Sequence, residues 1–334
     1  MTPINITLAL GDYARVLPLA LGKVRAEGVD LDLIIGDRGS WPMRADFIRR
    51  TLIDPTLHGG EGSMGGHLKR VDEGDRSFVA LPIFLRRGFV GRYLYVQQGS
   101  PLKSAADLAG KRIGMYAWQA SGAIWYRHFL REAGLDLNTV QWWTGGIDEP
   151  GPSKYEAVTP AGVNSPRADR SLSDMLRDGE LDAIYCSKKP KLFHQRKGPF
   201  VRIFDDVRAI EEEIYQRTKV FPILHIILLR RDVFEAYPWL ADAITKAFAE
   251  SNRWFAEAHR NFPYETPWAE LEIDGVEDLM GRDFHTFDIA QSRPTLEAFF
   301  EVAHEVGLTR RRVTVEEFFA EYFQATGGQS GAAQ

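Results

Sequence analysis

The chain has 334 residues, 44% of them hydrophobic, and a formal net charge of -5. This length and this hydrophobic fraction suffice for one large buried core or two medium ones. The slightly acidic balance gives no basic footprint for nucleic acid, and no apolar run approaches the ~20 residues that span a bilayer. We therefore expect neither a nucleic-acid partner nor a membrane partner.

The first residues, MTPINITLALGDYARV, lack the features of an export signal. Such a signal has a basic start, an apolar stretch and a small-residue cleavage site, and here Asn5, Gly11 and Asp12 interrupt the apolar stretch. The single cysteine, Cys186, cannot form an internal disulfide, and its apolar neighbours favour a buried hydrophobic role. We expect a cytoplasmic location, with which the single cysteine is compatible.

Strands and helices alternate along the first part of the chain. Residues Ile4 to Leu10 predict a strand, and YARVLPLALGKVRAEG predicts a helix that ends at Gly28. Further strands are expected at VDLDLIIG, FVALPIF and RYLYVQQ. This alternation is typical of an α/β sheet.

Residues 104–186 have the pattern of βαβ units. Ser104 and Asp107 stand at capping-box spacing, the strand KRIGMYA follows, and a helix is expected from near Ser121 to Gly134, with Arg127 on the side opposite its apolar face. A strand at TVQWW, a capped helix from SLSDMLRDG and the strand LDAIYC complete the pattern. Residues 144–170, rich in glycine and proline, predict a long irregular loop.

The last third predicts one central strand and several helices. FPILHIILLRRD reads as the strand, Trp239 to His259 as a long amphipathic helix, and two more helices are expected near Ser292 and at Thr314. The residues 326–334 have the composition of a disordered tail.

The run SAADLAGKRIGMYAWQASGAIWYRHFLREAGLDLNTVQWW, followed by LSDMLRDGELDAIYC, resembles the second lobe of the type 2 periplasmic-binding-protein fold. The resemblance implies an α/β architecture of two lobes with a ligand cleft between them. It implies a discontinuous first lobe, residues 1–95 and 205–334, and a second lobe, residues 96–204.

Several segments resemble the 4,5-dihydroxyphthalate decarboxylase family: LALGDYARVLPLALGKVRAEGVDLDLI, VALPIF, YAWQASGAIWYRHFL, WWTGGIDEPG, LSDMLRDGELDAIY, FPILHIILLRRDVFEAYPWLADAITKAF and SRPTLEAFFEVAHEVGL. They cover nearly the whole chain in order. The resemblance implies an intracellular carboxy-lyase that needs no cofactor. After the Pro-x-Phe element the family tends to carry Arg-x-Phe-Arg-His, whereas this chain has Gly91 where the histidine is expected.

Loss of carbon dioxide from a hydroxylated aromatic acid without an oxidant requires a proton on the ring carbon that bears the carboxylate. The site needs an acid, a cation for any carboxylate that is retained, and a poorly solvated place for the departing one. Arg15, Arg87 and Arg127 are the candidate cations, because guanidinium grips carboxylate in a bidentate way. Each could instead be a solvated surface arginine.

The turn AWQASGA passes from a strand into a helix N-terminus, whose free N–H groups favour an anion. Trp118, Gln119 and Ser121 are therefore candidate substrate contacts, with Trp118 able to stack on an aromatic ring. The alternative is an ordinary helix cap beside a core tryptophan.

The segment from His58 to His67 is rich in glycine. His58, Glu61 and His67 could ligate a metal, but their spacing matches no standard motif, so we expect none. A loop that contacts substrate is favoured, with Glu61 and Ser63 as polar contacts and His67 beside them. His58 and Glu61 are also candidate catalytic groups.

His225 is the candidate acid. Strand alternation places this imidazole in an almost wholly apolar strand, where burial without a partner would be costly. The alternative is a core histidine bonded to backbone. The resemblance, which includes Phe-Pro-Ile-x-His, favours the catalytic role.

The leading hypothesis is thus a lyase that decarboxylates a hydroxylated phthalate- or benzoate-type acid in the expected cleft, by protonation of a ring carbon. There are two alternatives. One is a carrier that binds a small anionic aromatic ligand without catalysis, and the other is a metal-assisted decarboxylase or hydrolase. The partner expected is the small anionic substrate, with a homo-oligomer possible.

Overall fold

The structure is a computed structural model that describes residues 2–36, 41–153, 160–194, 197–261 and 266–327, with only the backbone for residues 41–46. The predicted tail lies almost wholly outside the described residues, as does part of the predicted loop, residues 154–159. Contacts divide the chain into two compact units. The first unit comprises residues 1–87, 223–297 and 313–334, and the second comprises residues 88–222 and 298–312.

The first unit is built on one mixed sheet. Its strands are β1 (Ile4–Leu10), β2 (Val29–Ile35), β3 (Gly59–Ser63), β4 (Phe78–Arg87) and β10 (Ile223–Arg230), in the spatial order β2-β1-β3-β10-β4. β1 is parallel to β2 and β3, whereas β10 is antiparallel to β3 and β4. The carboxyl ends of β1, β3 and β4 therefore share one edge of the sheet with the amino end of β10.

The helices of the first unit cover this sheet. They are α1 (Leu17–Ala20), α2 (Trp41–Ile53), α3 (Met64–Glu73), α7 (Arg231–Ala236), α8 (Leu240–Asn261), α9 (Ala269–Met280), α11 (Val315–Phe318) and α12 (Ala320–Ala325). Apolar side chains of β1, β4, β10 and α8 form a large buried cluster. Burial of this apolar face is the dominant stabilising contribution to such a unit.

The second unit has a mixed sheet of its own. Its strands are β5 (Leu94–Gln97), β6 (Arg112–Met115), β7 (Gln141–Thr144), β8 (Ala183–Tyr185) and β9 (Phe200–Arg202), in the order β7-β6-β8-β5-β9. The helices are α4 (Ser121–Glu132), α5 (Leu172–Arg177) and α6 (Val207–Thr218), and α10 (Ile289–Glu305) begins in the first unit and ends in the second. The capping box at Ser171 and Asp174 is confirmed.

The strands predicted from sequence are confirmed, but two local predictions are wrong. The stretch from Tyr13 to Gly28 is not one helix: a 3-10 helix (Ala14–Val16) and α1 are followed by turns, because Gly22 adopts φ 68°. The glycine-rich segment after His58 is not a loop but strand β3 followed by α3. It lies in the middle of the sheet, where its neighbours supply the pairing.

The unit boundaries differ from the lobes drawn from the resemblance. Residues 88–95 lead into β5 and residues 205–222 contain α6, and both segments belong to the second unit. Gly88 donates its backbone N–H to the carbonyl of Pro222, which ties these two segments together. Among the helices that the structure describes, none combines the length and the apolar character that a membrane span requires.

Candidate functional site

Strand β3 lies unusually close to its neighbours. A Cβ at Gly59 would stand 2.2 Å from the carbonyl oxygen of Leu228, and one at Gly60 would stand 2.3 Å from that of Ala9. Only glycine fits positions with such backbone contacts, so the run of glycines reflects packing between β1 and β10. Glu61 lies between Gly60 and Gly62 in this strand, is thereby held inside the sheet and is only 1% exposed.

The carboxylate of Glu61 is hydrogen-bonded to three groups. The backbone N–H of Gly11 donates to Oε2 at 2.8 Å, and the hydroxyl of Tyr13 donates to Oε1 at 2.6 Å. The Nδ1 atom of His225 is hydrogen-bonded to the same Oε1. A Cβ at Gly11 would lie 3.1 Å from Oε2, so the absence of a side chain there permits the approach.

The surroundings keep Glu61 ionised. Burial by itself would raise its pKa, but the charge of His225 and the hydrogen bonds from His225, Tyr13 and Gly11 hold the pKa of this carboxyl below its ordinary value. An ionised carboxylate only accepts hydrogen bonds, so Nδ1 of His225 carries the hydrogen. The Nε2 atom is then the one that can give or take a proton.

The strand pairing around His225 is irregular. Its partner in β4 is Arg86, whereas Ile227 pairs with Leu81, so the register shifts on both sides of His225. Pro82, which has no N–H to donate to the ladder, stands within this stretch of β4. Such bulges re-aim side chains and are frequent next to active sites.

Arg15 lies close to this irregular stretch. Its Nη2 donates to the carbonyl oxygen of Leu85 at 2.6 Å, while its buried Nη1 has no hydrogen-bond partner among the described residues. Burial lowers the pKa of Arg15 to about 10, opposed by the nearby Tyr13. The side chain remains a cation at neutral pH and has a donor available to an anion.

Arg87 and His285 stand near Arg15. Nη1 of Arg87 donates to the carbonyl oxygen of Thr286 at 3.2 Å and to Oγ of Ser292 at 3.5 Å. Burial, with the charges of Arg15 and Arg87, holds the pKa of His285 well below its ordinary value. This part of the first unit therefore contains two cations beside a neutral imidazole.

The chain topology explains why these groups meet. Each of them stands at or just beyond the edge of the first sheet that carries the ends of β1, β3 and β4 and the start of β10. They are Gly11, Tyr13, Arg15, Ser63, Arg87 and His225. Ser63 is paired directly with His225, and its hydroxyl accepts the N–H of Gly66 at 3.4 Å as the N-cap of α3.

Two predicted site residues lie apart from the Glu61–His225 pair. His58 precedes β3 at its other end, and its Nδ1 accepts the backbone N–H of Thr7 at 3.0 Å. His67 is buried on α3 with its ring edge-on to Phe318 at 5.1 Å, and burial lowers its pKa to about 3. In the described ranges, no three His, Cys, Asp or Glu side chains are grouped as metal ligands.

The remaining candidates belong to the second unit. Trp118 is buried, and its Nε1 donates to the carbonyl of Val306 at 3.2 Å. Ser121 is buried at the first position of α4, and Gln119 is partly buried just before it. The local geometry is that of a strand-to-helix turn, as predicted.

Arg127 is fully buried, so it is not the solvated surface arginine that the sequence left open as an alternative. The guanidinium lies 3.9 Å from the centre of the Trp118 ring, and it donates to the carbonyl oxygens of Trp118 and Ala123. It faces inward because the turn before α4 folds back over the helix and supplies both an aromatic face and a carbonyl.

Gly91, where the resemblance led us to expect a histidine, has no room for a side chain. Its N–H donates to buried Glu211 at 2.7 Å, and a Cβ would lie 2.8 Å from side-chain atoms of both Phe129 and Val207. Burial raises the pKa of Glu211 to about 7.

Tyr13 is a partner of Glu61 that was not predicted from the sequence. The spacing of Gly11, Tyr13 and Arg15 at every second position after β1 could have indicated this contact. Residues that directly follow a strand lie at the edge of the sheet where that strand ends. Nothing in the sequence indicates that His285, far along the chain, lies near Arg15.

The chain is similar in sequence to enzymes of known activity. No protein-family model matches the chain. The chain is 31% identical over 330 residues to 4,5-dihydroxyphthalate decarboxylase of Comamonas testosteroni, covering 96% of this chain and 97% of that protein. It is 32% identical over 221 residues to 4,5-dihydroxyphthalate decarboxylase of Pseudomonas putida, covering 65% of this chain and 83% of that protein.

Among solved structures, the periplasmic aliphatic sulphonate binding protein SsuA from Escherichia coli matches with a TM-score of 0.50 and 14% identity, over 96% of this chain and 100% of that one. This likeness concerns the fold alone, and it confirms the predicted periplasmic-binding-protein-like class. The near-complete match in sequence to the Comamonas enzyme carries the further conclusion. The chain belongs to the 4,5-dihydroxyphthalate decarboxylase family and has the role of a carboxy-lyase.

Proposed function

We propose that the protein decarboxylates a hydroxylated aromatic acid without an oxidant, with His225 as the acid that protonates the ring carbon bearing the carboxylate. The observation that carries this proposal is the buried pair of Glu61 and His225, in which an ionised carboxylate is hydrogen-bonded to Nδ1, so that Nε2 is the nitrogen that exchanges a proton. Family membership supports the reaction class.

In the proposed reaction, protonation of the ring carbon precedes the loss of carbon dioxide. Nε2 of protonated His225 gives its proton to the ring carbon, while an ortho or para hydroxyl donates electron density. The bond to the carboxylate then breaks, its electron pair returns to the ring, and carbon dioxide leaves. Solvent restores the proton on His225, so one proton is consumed in each turnover.

Glu61 makes this exchange possible. The carboxylate stabilises the imidazolium before transfer and orients the ring afterwards, as paired carboxylates do for catalytic histidines. Burial of the pair excludes water and strengthens the interaction between the two groups.

Arg15 and Arg87 are proposed to hold the anionic part of the substrate. Arg15 has a buried N–H donor without a partner among the described residues, and such a donor gains most from an anionic acceptor. Arg87 and the neutral His285 lie beside it, so a carboxylate would meet two positive charges and no negative charge from these three groups.

The test is release of carbon dioxide from a panel of hydroxyphthalic and hydroxybenzoic acids by the wild-type protein and by His225→Asn. Asparagine keeps a donor toward Glu61 but does not titrate, so we expect kcat to fall ~10²- to 10⁴-fold. The matched control is His58→Asn, whose amide oxygen can accept the Thr7 N–H in place of Nδ1, and this variant should turn over normally.

Each result separates the candidate roles. Normal turnover by a folded His225→Asn variant would remove His225 as the acid, and a large loss in His58→Asn would transfer the role to His58. Tight binding of every acid in the panel without release of carbon dioxide would support the carrier instead of the enzyme.

A further inference from the structure

We propose that Tyr13 is a positioning residue for the reaction: through Glu61 it sets how firmly His225 holds its proton. The inference rests on the proposed function, in which His225 is the acid. Tyr13 itself does not exchange a proton with the substrate in this proposal.

The carrying observation is that two donors share one oxygen. The hydroxyl of Tyr13 donates at 2.6 Å to Oε1 of Glu61, and this is the same atom that is hydrogen-bonded to Nδ1 of His225. The other oxygen is held by the N–H of Gly11 at 2.8 Å. The carboxylate is therefore fixed at both oxygens, and Tyr13 competes with His225 for the electron density of one of them.

This competition has a definite direction. A hydrogen bond from a hydroxyl spreads the negative charge of a carboxylate and makes it a weaker acceptor. Glu61 then stabilises the imidazolium of His225 less than it would alone, and the proton passes to a ring carbon more readily. The shared oxygen thus tunes the acid toward release of its proton.

Tyr13 also lies between the Glu61–His225 pair and the proposed anion contact, Arg15. It lies between Gly11, which fixes Oε2, and Arg15, the proposed anion contact, on a segment of five residues that leaves β1. Tyr13 and Arg15 interact electrostatically. A substrate anion at Arg15 would therefore act on the group that contacts Glu61.

The test compares wild type, Tyr13→Phe and the control Tyr93→Phe, in protein labelled with ¹³C and ¹⁵N at histidine. Phenylalanine keeps the ring of Tyr13 and removes only the hydroxyl. Tyr93 is partly buried in the second unit, where its hydroxyl accepts from Arg92 at 2.8 Å. The His225 signals are assigned by their absence in His225→Asn.

We expect the titration midpoint of His225 in Tyr13→Phe to rise by about one pH unit, on the scale of one hydrogen bond to a charged group. The alkaline fall of kcat should move upward with it, and kcat at its optimum should drop about tenfold because the carboxylate is less well fixed. Tyr93→Phe should match wild type in the midpoint and in kcat.

An unchanged midpoint in folded Tyr13→Phe would overturn the proposal, since a purely structural tyrosine would lower kcat at every pH without moving the titration. A raised midpoint with an unmoved kcat profile would support the coupling through Glu61 and would instead reject His225 as the group that limits turnover. Failure of the proposal for Tyr13 and failure of the proposed role of His225 therefore give different results.

Discussion

The two units differ in what surrounds their buried charges. In the first unit, Glu61 accepts the backbone N–H of Gly11 but is also hydrogen-bonded to two side chains, Tyr13 and the titratable His225. In the second unit, Glu211 accepts a backbone N–H from Gly91, and Arg127 donates to two backbone carbonyls. A charge fixed by backbone groups stabilises a local conformation, whereas a charge paired with a titratable side chain can take part in proton transfer.

The largest expected difference between the two units comes from replacing a buried glutamate by glutamine in each of them. Glu61→Gln removes the charge that stabilises the imidazolium, so kcat should fall ~10²-fold or more. Glu211→Gln resembles the protonated form of Glu211, which a pKa of about 7 already populates substantially at neutral pH, and it should retain kcat. Release of carbon dioxide at pH 7 measures both, and equal losses in the two variants would abolish the distinction.

A second pair of variants compares the arginines. Arg15→Gln should raise KM about tenfold or more while the protein remains folded, because one charge-assisted bond to the substrate is lost. Arg127→Gln should instead lower the free energy of unfolding by about 1–3 kcal/mol, because two carbonyl oxygens lose their donor.

Steady-state kinetics and urea unfolding measure these two outcomes. The contrast would fail if Arg127→Gln kept full stability and changed only KM, since Arg127 would then belong with the substrate contacts. It would fail equally if Arg15→Gln altered stability alone.

The two units are expected to behave alike in the dependence of their stability on pH. Burial lowers the pKa of His67 in the first unit to about 3 and that of His128 in the second to about 4, against about 6.5 in an unfolded chain. Below pH 6.5 the unfolded state binds the extra proton, so stability falls as the pH falls toward these values. Each histidine contributes a slope of up to about 1.4 kcal/mol per pH unit.

Unfolding by urea between pH 7 and pH 4 measures that slope. His67→Gln and His128→Gln should each make it shallower, because the titrating group is gone. A slope unchanged in both variants would show that other groups control the acid sensitivity of the fold.

Much of the secondary structure could be predicted from local pattern. The strand β1, the helix start at Ser121 and the capping box at Ser171 agree with their predicted positions, because hydrophobic period and capping chemistry act over a few residues. The glycine-rich segment was misread, since a strand that takes its pairing from β1 and β10 carries no period of its own.

The sequence by itself determined the family, the α/β class and the presence of His225 in an apolar strand. Only the tertiary structure decided that Glu61 and Tyr13 meet that histidine while His58 does not. The reason is physical: His58 precedes β3 and accepts a hydrogen bond from Thr7 of β1, whereas Glu61, three residues later, lies in the middle of β3. Gly11, Tyr13 and His225 are separated from Glu61 by 50, 48 and 164 residues in the sequence. They contact it because pairing places β3 between β1 and β10 in the sheet.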